Sequence, residues 1–144
     1  MIEQDTVRLL RECDAGIKMG VSSIEDVLNY VQAEPFKRCL TVCKAEHEKL
    51  EDEIQVLLDE YHDEGKDPSL MTKSMSKVKT NLKMAMNSSD EAIAGLMTDG
   101  CNMGVKYLNK YLNEYEAASE ESKDITKRLI NLEEKLAIDI RGFL

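Results

Sequence analysis

The chain predicts an all-α fold built from two duplicated helical hairpins, and three observations carry that expectation. Gly16-Ile17-Lys18-Met19-Gly20-Val21 returns as Gly100-Cys101-Asn102-Met103-Gly104-Val105. The likeness continues into a second segment, where Cys39, Cys43, Glu48, Lys49, Leu50 and Ile54 correspond to Ile125, Leu129, Glu134, Lys135, Leu136 and Ile140. Apolar residues recur every three or four positions over long stretches, the period of one helix face. With 2 prolines, 7 glycines, no tryptophan and 5% aromatic residues, the composition is also poor in the side chains that strands favour.

A length of 144 residues makes one domain with a core of its own. The first helix carries Val7, Leu10, Ile17, Val21, Ile24, Leu28 and Val31 on one narrow stripe, with Asp14 as its one charged member. Pro35 suits the first turn of the second helix, where its missing N–H has no intrahelical partner, and Glu34 favours the positive helix start. Phe36, Leu40, Cys43, His47, Leu50, Ile54, Leu57 and Tyr61 then face inward, and Gly65 is placed to take a left-handed cap. These elements form a first hairpin over about 3–64.

A crossover follows over about 65–88, in which Asp67-Pro68 opens a short amphipathic helix with Lys73, Lys77, Lys79 and Lys83 largely on one side. Ser88 and Glu91 have capping-box spacing and start the second hairpin, about 89–142. Its first helix carries Ile93, Met97, Cys101, Val105, Leu108, Leu112 and Tyr115 inward, and its second Ile125, Leu129, Leu132, Leu136, Ile140 and Phe143. A connection long enough to return along the bundle makes the second helix of one hairpin parallel to the first helix of the next.

Lys+Arg 19 against Asp+Glu 28 gives a net charge of −9, which repels phosphate backbones and anionic lipid surfaces, so neither nucleic acid nor membrane is an expected partner. No run approaches the roughly 18 apolar residues of a membrane helix. Met1 to Arg11 carries acids where a signal peptide carries bases and an apolar stretch, so the expected compartment is the cytoplasm. Cys13, Cys39, Cys43 and Cys101 sit among apolar neighbours as reduced thiols do, without the paired turn spacing of a zinc site.

Four glycines lie in helix interiors, each costing ~0.8–1 kcal/mol relative to alanine, so something must compensate. Gly16, Gly20, Gly100 and Gly104 are expected to let the duplicated helices cross closely near a pseudo-twofold axis; the other reading leaves room beside an inward polar side chain. His47 reads as a partly buried structural histidine whose partner is Glu133, its counterpart in the second hairpin. Asp14, a carboxylate in an apolar seam, needs Arg11 or Lys18 one turn away. His62 reads as a solvent-side cap at a helix end. Tyr107, Tyr111 and Tyr115, one turn apart, form a candidate contact strip for another copy, or else cover the core beside the crossover.

A duplicated two-helix unit with a long crossover resembles the ferritin-like superfamily over most of the chain. The run from Met103-Gly104-Val105 through Leu132-Glu133-Glu134-Lys135-Leu136 is similar to that superfamily's small uncharacterised bacterial branch. The resemblance implies a ferritin-like four-helix bundle with a short fifth helix in the crossover. Active members of the superfamily use a glutamate from one helix and a Glu-x-x-His from the next, twice over, to hold two metal ions. Here Lys44 stands three residues before His47 and Ile130 three before Glu133. Gly20, Val21 and Ile24, and Gly104, Val105 and Leu108, occupy the first-helix positions.

The metal site is therefore expected to be degenerate, with no cofactor and no catalytic residue: no phosphate loop, serine elbow or activated thiolate is evident. The expected role is a noncatalytic binding or scaffold protein that forms a homo-oligomer, with no particular protein partner indicated. The alternative is a carboxylate-bridged iron protein, of oxidase or storage type, with an unconventional ligand set of Glu46, His47, Glu133 and Glu134.

Overall fold

A computed structural model describes residues 2–63 and 89–144. Four long helices account for nearly all of them: α1 (Ile2–Leu28), α2 (Glu34–Glu60), α3 (Asp90–Glu114) and α4 (Glu120–Ile140), with a 3-10 turn at Arg141–Phe143. No strand occurs among the described residues. The helix expected in the crossover, with its lysines, falls on residues outside the described ones.

The helix ends follow local chemistry, with three differences from expectation. α1 stops at Leu28, and the turn is closed by Tyr30 N–H and Val31 N–H on the Val27 carbonyl (2.9 and 3.2 Å). The cap of α3 is Ser89, one residue later than Ser88. Its extended backbone lets Oγ accept from Ala92 N–H at 3.1 Å. At the end of α2 a left-handed residue is His62 (φ 55°); Gly65, expected to take such a cap, lies outside the described residues. His62 N–H donates to Asp59 O (3.0 Å) and Asp63 N–H to Leu58 O (2.9 Å), the paired bonds of a Schellman cap.

Contacts between the hairpins set the topology. Ala117 N–H, Ser119 N–H and Thr126 Oγ1 meet Asp5, Thr6 and Cys13 in turn, so α1 and α4 run the same way. His47–Glu133, Glu46–Lys135 and Glu53–Arg128 advance in opposite senses, so α2 and α4 are antiparallel. Asp90, opening α3, accepts from Gln32 and Ala33 N–H (2.8 Å each) and so caps α2 from the other hairpin. That places the N-termini of α2 and α3 at one end, running parallel. α1 packs on α2, α3 on α4, α2 on α4 and α1 on α3.

The apolar interior divides into two clusters. One gathers Leu9, Leu10, Ile17, Leu50, Ile54, Leu108, Ile125 and Leu129. The other gathers Ile24, Val27, Phe36, Leu40, Ile93, Met97, Leu136 and Ile140, with Phe36 and Phe143 stacked at 4.8 Å beside it. Every helix contributes to both clusters, so each passes through a narrow layer between them. That layer is the bundle's waist.

Candidate functional site

Four residues occupy the waist: Gly20 of α1 lies between Ile17 and Ile24, His47 of α2 between Cys43 and Leu50, Gly104 of α3 between Cys101 and Leu108, and Glu133 of α4 between Leu129 and Leu136. They are two pairs of duplicated positions, glycine with glycine and histidine with glutamate. His47 is 1% exposed, and its Nε2 lies 2.7 Å from Glu133 Oε1. A Cβ built on Gly20 would come 3.9 Å from the His47 ring, and one on Gly104 3.5 Å from Glu133 Oε2. At these two positions the space is taken by polar side chains rather than by a facing backbone, which corrects the close-crossing expectation for Gly20 and Gly104. A single Cβ at either position would make ordinary contact, and a side chain larger than alanine on α1 or α3 would compete with the imidazole or the carboxylate for this space. Gly100 is buried one turn away, and Gly16 is half-buried.

The proton inventory at His47 follows from its two acceptors. Nδ1 lies 2.7 Å from Cys43 O, which can only accept, so Nδ1 carries a hydrogen; the Cys43 thiol is 3.3 Å away. Nε2 then donates to the Glu133 carboxylate, and the ring is an imidazolium. Burial by itself lowers the pKa of His47, but the hydrogen bonds to Cys43 and Glu133 and the Glu133 charge outweigh it and push the pKa up from 6.5 to about 11. Folding therefore gains from this proton fully below pH 6.5 and loses the gain as pH rises through about 11. Burial, with Glu133 next, also pushes the Cys101 thiol up, and burial pushes Cys13 up to about 12 against the opposing Thr126 hydrogen bond. Both thiols stay protonated and unreactive at neutral pH. All four cysteines are free.

Beside the pair lies a cavity of about 30 Å³, lined by Gly20, Ser23, Met97, Gly100, Cys101 and Leu136 as well as His47 and Glu133. That volume holds one or two water molecules.

The four candidate iron ligands divide. His47 and Glu133 meet, whereas Glu46 turns to the surface and pairs with Lys135 at 3.7 Å, and Glu134 is exposed. Among the described residues no three His, Cys, Asp or Glu side chains are placed to hold a metal ion. A metal does not fit the pair as it stands, because each imidazole nitrogen is already spent on a protein oxygen. Of the tyrosines, Tyr111 is buried while Tyr107 and Tyr115 are half-buried against the core. Their rings follow one another at 6.3 and 6.1 Å, with Lys106 and Lys110 over Tyr107.

A second polar cluster lies within the first hairpin. Asp14 is fully buried and takes Lys18 Nζ at 3.0 Å and Gln55 Nε2 at 2.9 Å. Arg11, its other expected partner, pairs with Asp63 instead, Nε to Oδ1 at 2.9 Å. Gln55 Nε2 also donates to Glu51 Oε1 at 2.9 Å, so one amide group bridges the two carboxyl groups, and Glu51 Oε2 is buried without a hydrogen-bond partner among the described residues. Burial first, then the neighbouring Asp14 carboxyl group, pushes the Glu51 pKa up from 4.5 to about 8. Sequence reasoning flagged Asp14 and missed Gln55; the one available signal was its position a turn beyond Glu51.

The crystal structure of a DUF305 fragment from Deinococcus radiodurans is similar to this chain, with a TM-score of 0.75 over 96% of this chain and 93% of that one, at 9% sequence identity. At that identity the likeness shows a shared helical fold and nothing about chemistry. No family in the scan of known protein families and no curated protein matches the chain. No helix among the described residues is long and apolar enough to cross a membrane.

Proposed function

We propose that this chain is a noncatalytic ferritin-like bundle, of the small bacterial branch of that superfamily, that works as a binding or scaffold protein and self-associates. In this reading the di-metal site has given way to an internal ion pair. One observation carries it: at the waist both nitrogens of His47 are engaged by protein oxygens, Cys43 O and Glu133 Oε1, each at 2.7 Å. Imidazole ligates a metal through a free lone pair, and His47 as an imidazolium has none. The parallel run of α2 and α3 and the duplicated hairpins support the ferritin-like assignment. Four free thiols support a cytoplasmic setting, and a net charge of −9 argues against nucleic acid as the partner.

Metal analysis of protein purified after iron-supplemented expression, beside a His47→Ala variant, tests the reading. The expected result is iron far below one equivalent in both. Stoichiometric iron that disappears in the variant overturns the reading and favours an iron protein built on Glu46, His47, Glu133 and Glu134.

A further inference from the structure

The outer face shared by α2 and α4 carries more apolar surface than the bundle itself requires. Among the described residues, the large hydrophobics exposed on helix bodies, away from the chain ends and the α1–α2 turn, are Val42, Val56 and Ile138, at 52%, 60% and 55%. All three belong to α2 and α4. Glu46–Lys135 and Glu53–Arg128 bridge these two helices, so charge on this face is matched in a chain that carries −9 in total. A groove of about 350 Å³ runs between the helices over Cys39, Val42, Leu132 and Leu136, with Arg38 on one wall and Asp139 on the other. Neither Arg38 nor Asp139 has an ion-pair partner among the described residues.

We propose that this face joins two copies of the chain about a twofold axis lying along the groove, parallel to the helices. Such an axis lays α2 of one copy on α4 of the other at equal depth. The register set by His47–Glu133 and Glu46–Lys135 brings Val42 level with the partner's Ile138 and Arg38 within about a turn of the partner's Asp139. The contact is self-complementary: Arg38 of each copy finds Asp139 of the other, twice per dimer. Two adjacent helices of this length present a face of about 30 Å by 20 Å, a footprint compatible with the roughly 800 Å² of accessible surface per partner in a standard interface. The proposal rests on the self-association in the function proposed above, and it selects this face rather than the tyrosine strip.

Sedimentation equilibrium and light scattering on the full chain test it. The wild type is expected to be a dimer. Arg38→Glu and Asp139→Arg each raise the dissociation constant by about 10-fold or more, because each creates two like-charge contacts. The double reversal R38E/D139R restores it to within about threefold of wild type, with circular dichroism confirming that every variant is folded. Charge variants that leave the dimer unchanged, or a double reversal as weak as the singles, overturn the proposed face. If the dimer survives them but is lost in Tyr107→Ser/Tyr115→Ser, self-association stands on the other surface. A wild type that stays monomeric at high concentration removes self-association altogether.

Discussion

The two hairpins repeat one plan at the waist and diverge about two turns along the first helix from it. At the waist each offers a glycine from its first helix and a polar side chain from its second, so Gly20 faces His47 and Gly104 faces Glu133. At the other level the first hairpin buries Asp14 with Lys18, Gln55 and Glu51, where the duplicated positions of the second hold Thr98, Asn102, Arg141 and Ala137. Thr98 needs no partner from another helix, because its hydroxyl donates to Ala94 O at 2.8 Å within its own. Asp14 as a carboxylate can only accept, and helix carbonyls have nothing to donate to it. One carboxylate therefore draws a polar network across the α1/α2 seam, while the four duplicated positions of the second hairpin bury no carboxylate and leave Asn102 and Arg141 exposed.

The largest expected effect breaks the symmetry at the waist. His47→Ala leaves the Glu133 carboxylate without its cation in the interior and costs about 3–5 kcal/mol of folding stability, read from urea denaturation. The exchanged variant His47→Glu/Glu133→His keeps an ion pair between related positions, each with its glycine, and is expected to lose less than half as much. An exchange as damaging as the single replacement would show that the halves are not interchangeable there.

A smaller effect isolates the level where the hairpins differ. Because the Glu51 pKa is raised from 4.5 to about 8 in the folded chain, its contribution is whole below pH 4.5 and is lost as pH rises through about 8. Glu51→Gln keeps the side-chain volume without a titrating group and removes that decline. Solvent at the half-exposed side chain screens the difference to about 1–2 kcal/mol, measured as the shift in urea midpoint between pH 5 and pH 9. A variant with the wild-type slope would mean that Glu51 is not the group whose ionisation the fold opposes.

The smallest effects test whether the waist glycines are there for space. A Cβ at Gly20 or Gly104 meets its polar neighbour at 3.9 or 3.5 Å, ordinary contact, so Gly20→Ala and Gly104→Ala are each expected to stabilise by about 0.5–1 kcal/mol through helix propensity. Lower melting temperatures in both would show that the His47–Glu133 pair needs the full width of glycine.

Much of this architecture was legible in the chain because it depends on neighbours in sequence. Period and composition marked the helices, Pro35 and the Ser-rich starts marked their beginnings, and the repeated glycine segments related the halves; His47 and Glu133 emerged as counterparts from the same alignment. Departures stayed local: Ser89 rather than Ser88 caps α3, and the unflagged His62 takes a left-handed φ, since one residue decides which side chain reaches a free N–H or which φ closes the turn. Tertiary structure alone decided that Gly20 and Gly104 stand over polar side chains, that Asp90 caps a helix more than fifty residues away, and that Asp14 takes Gln55 while Arg11 turns to Asp63. Those pairings depend on how each helix is rotated and how far it slides along its neighbour. Both are settled by packing the whole interior at once, and no local pattern encodes them.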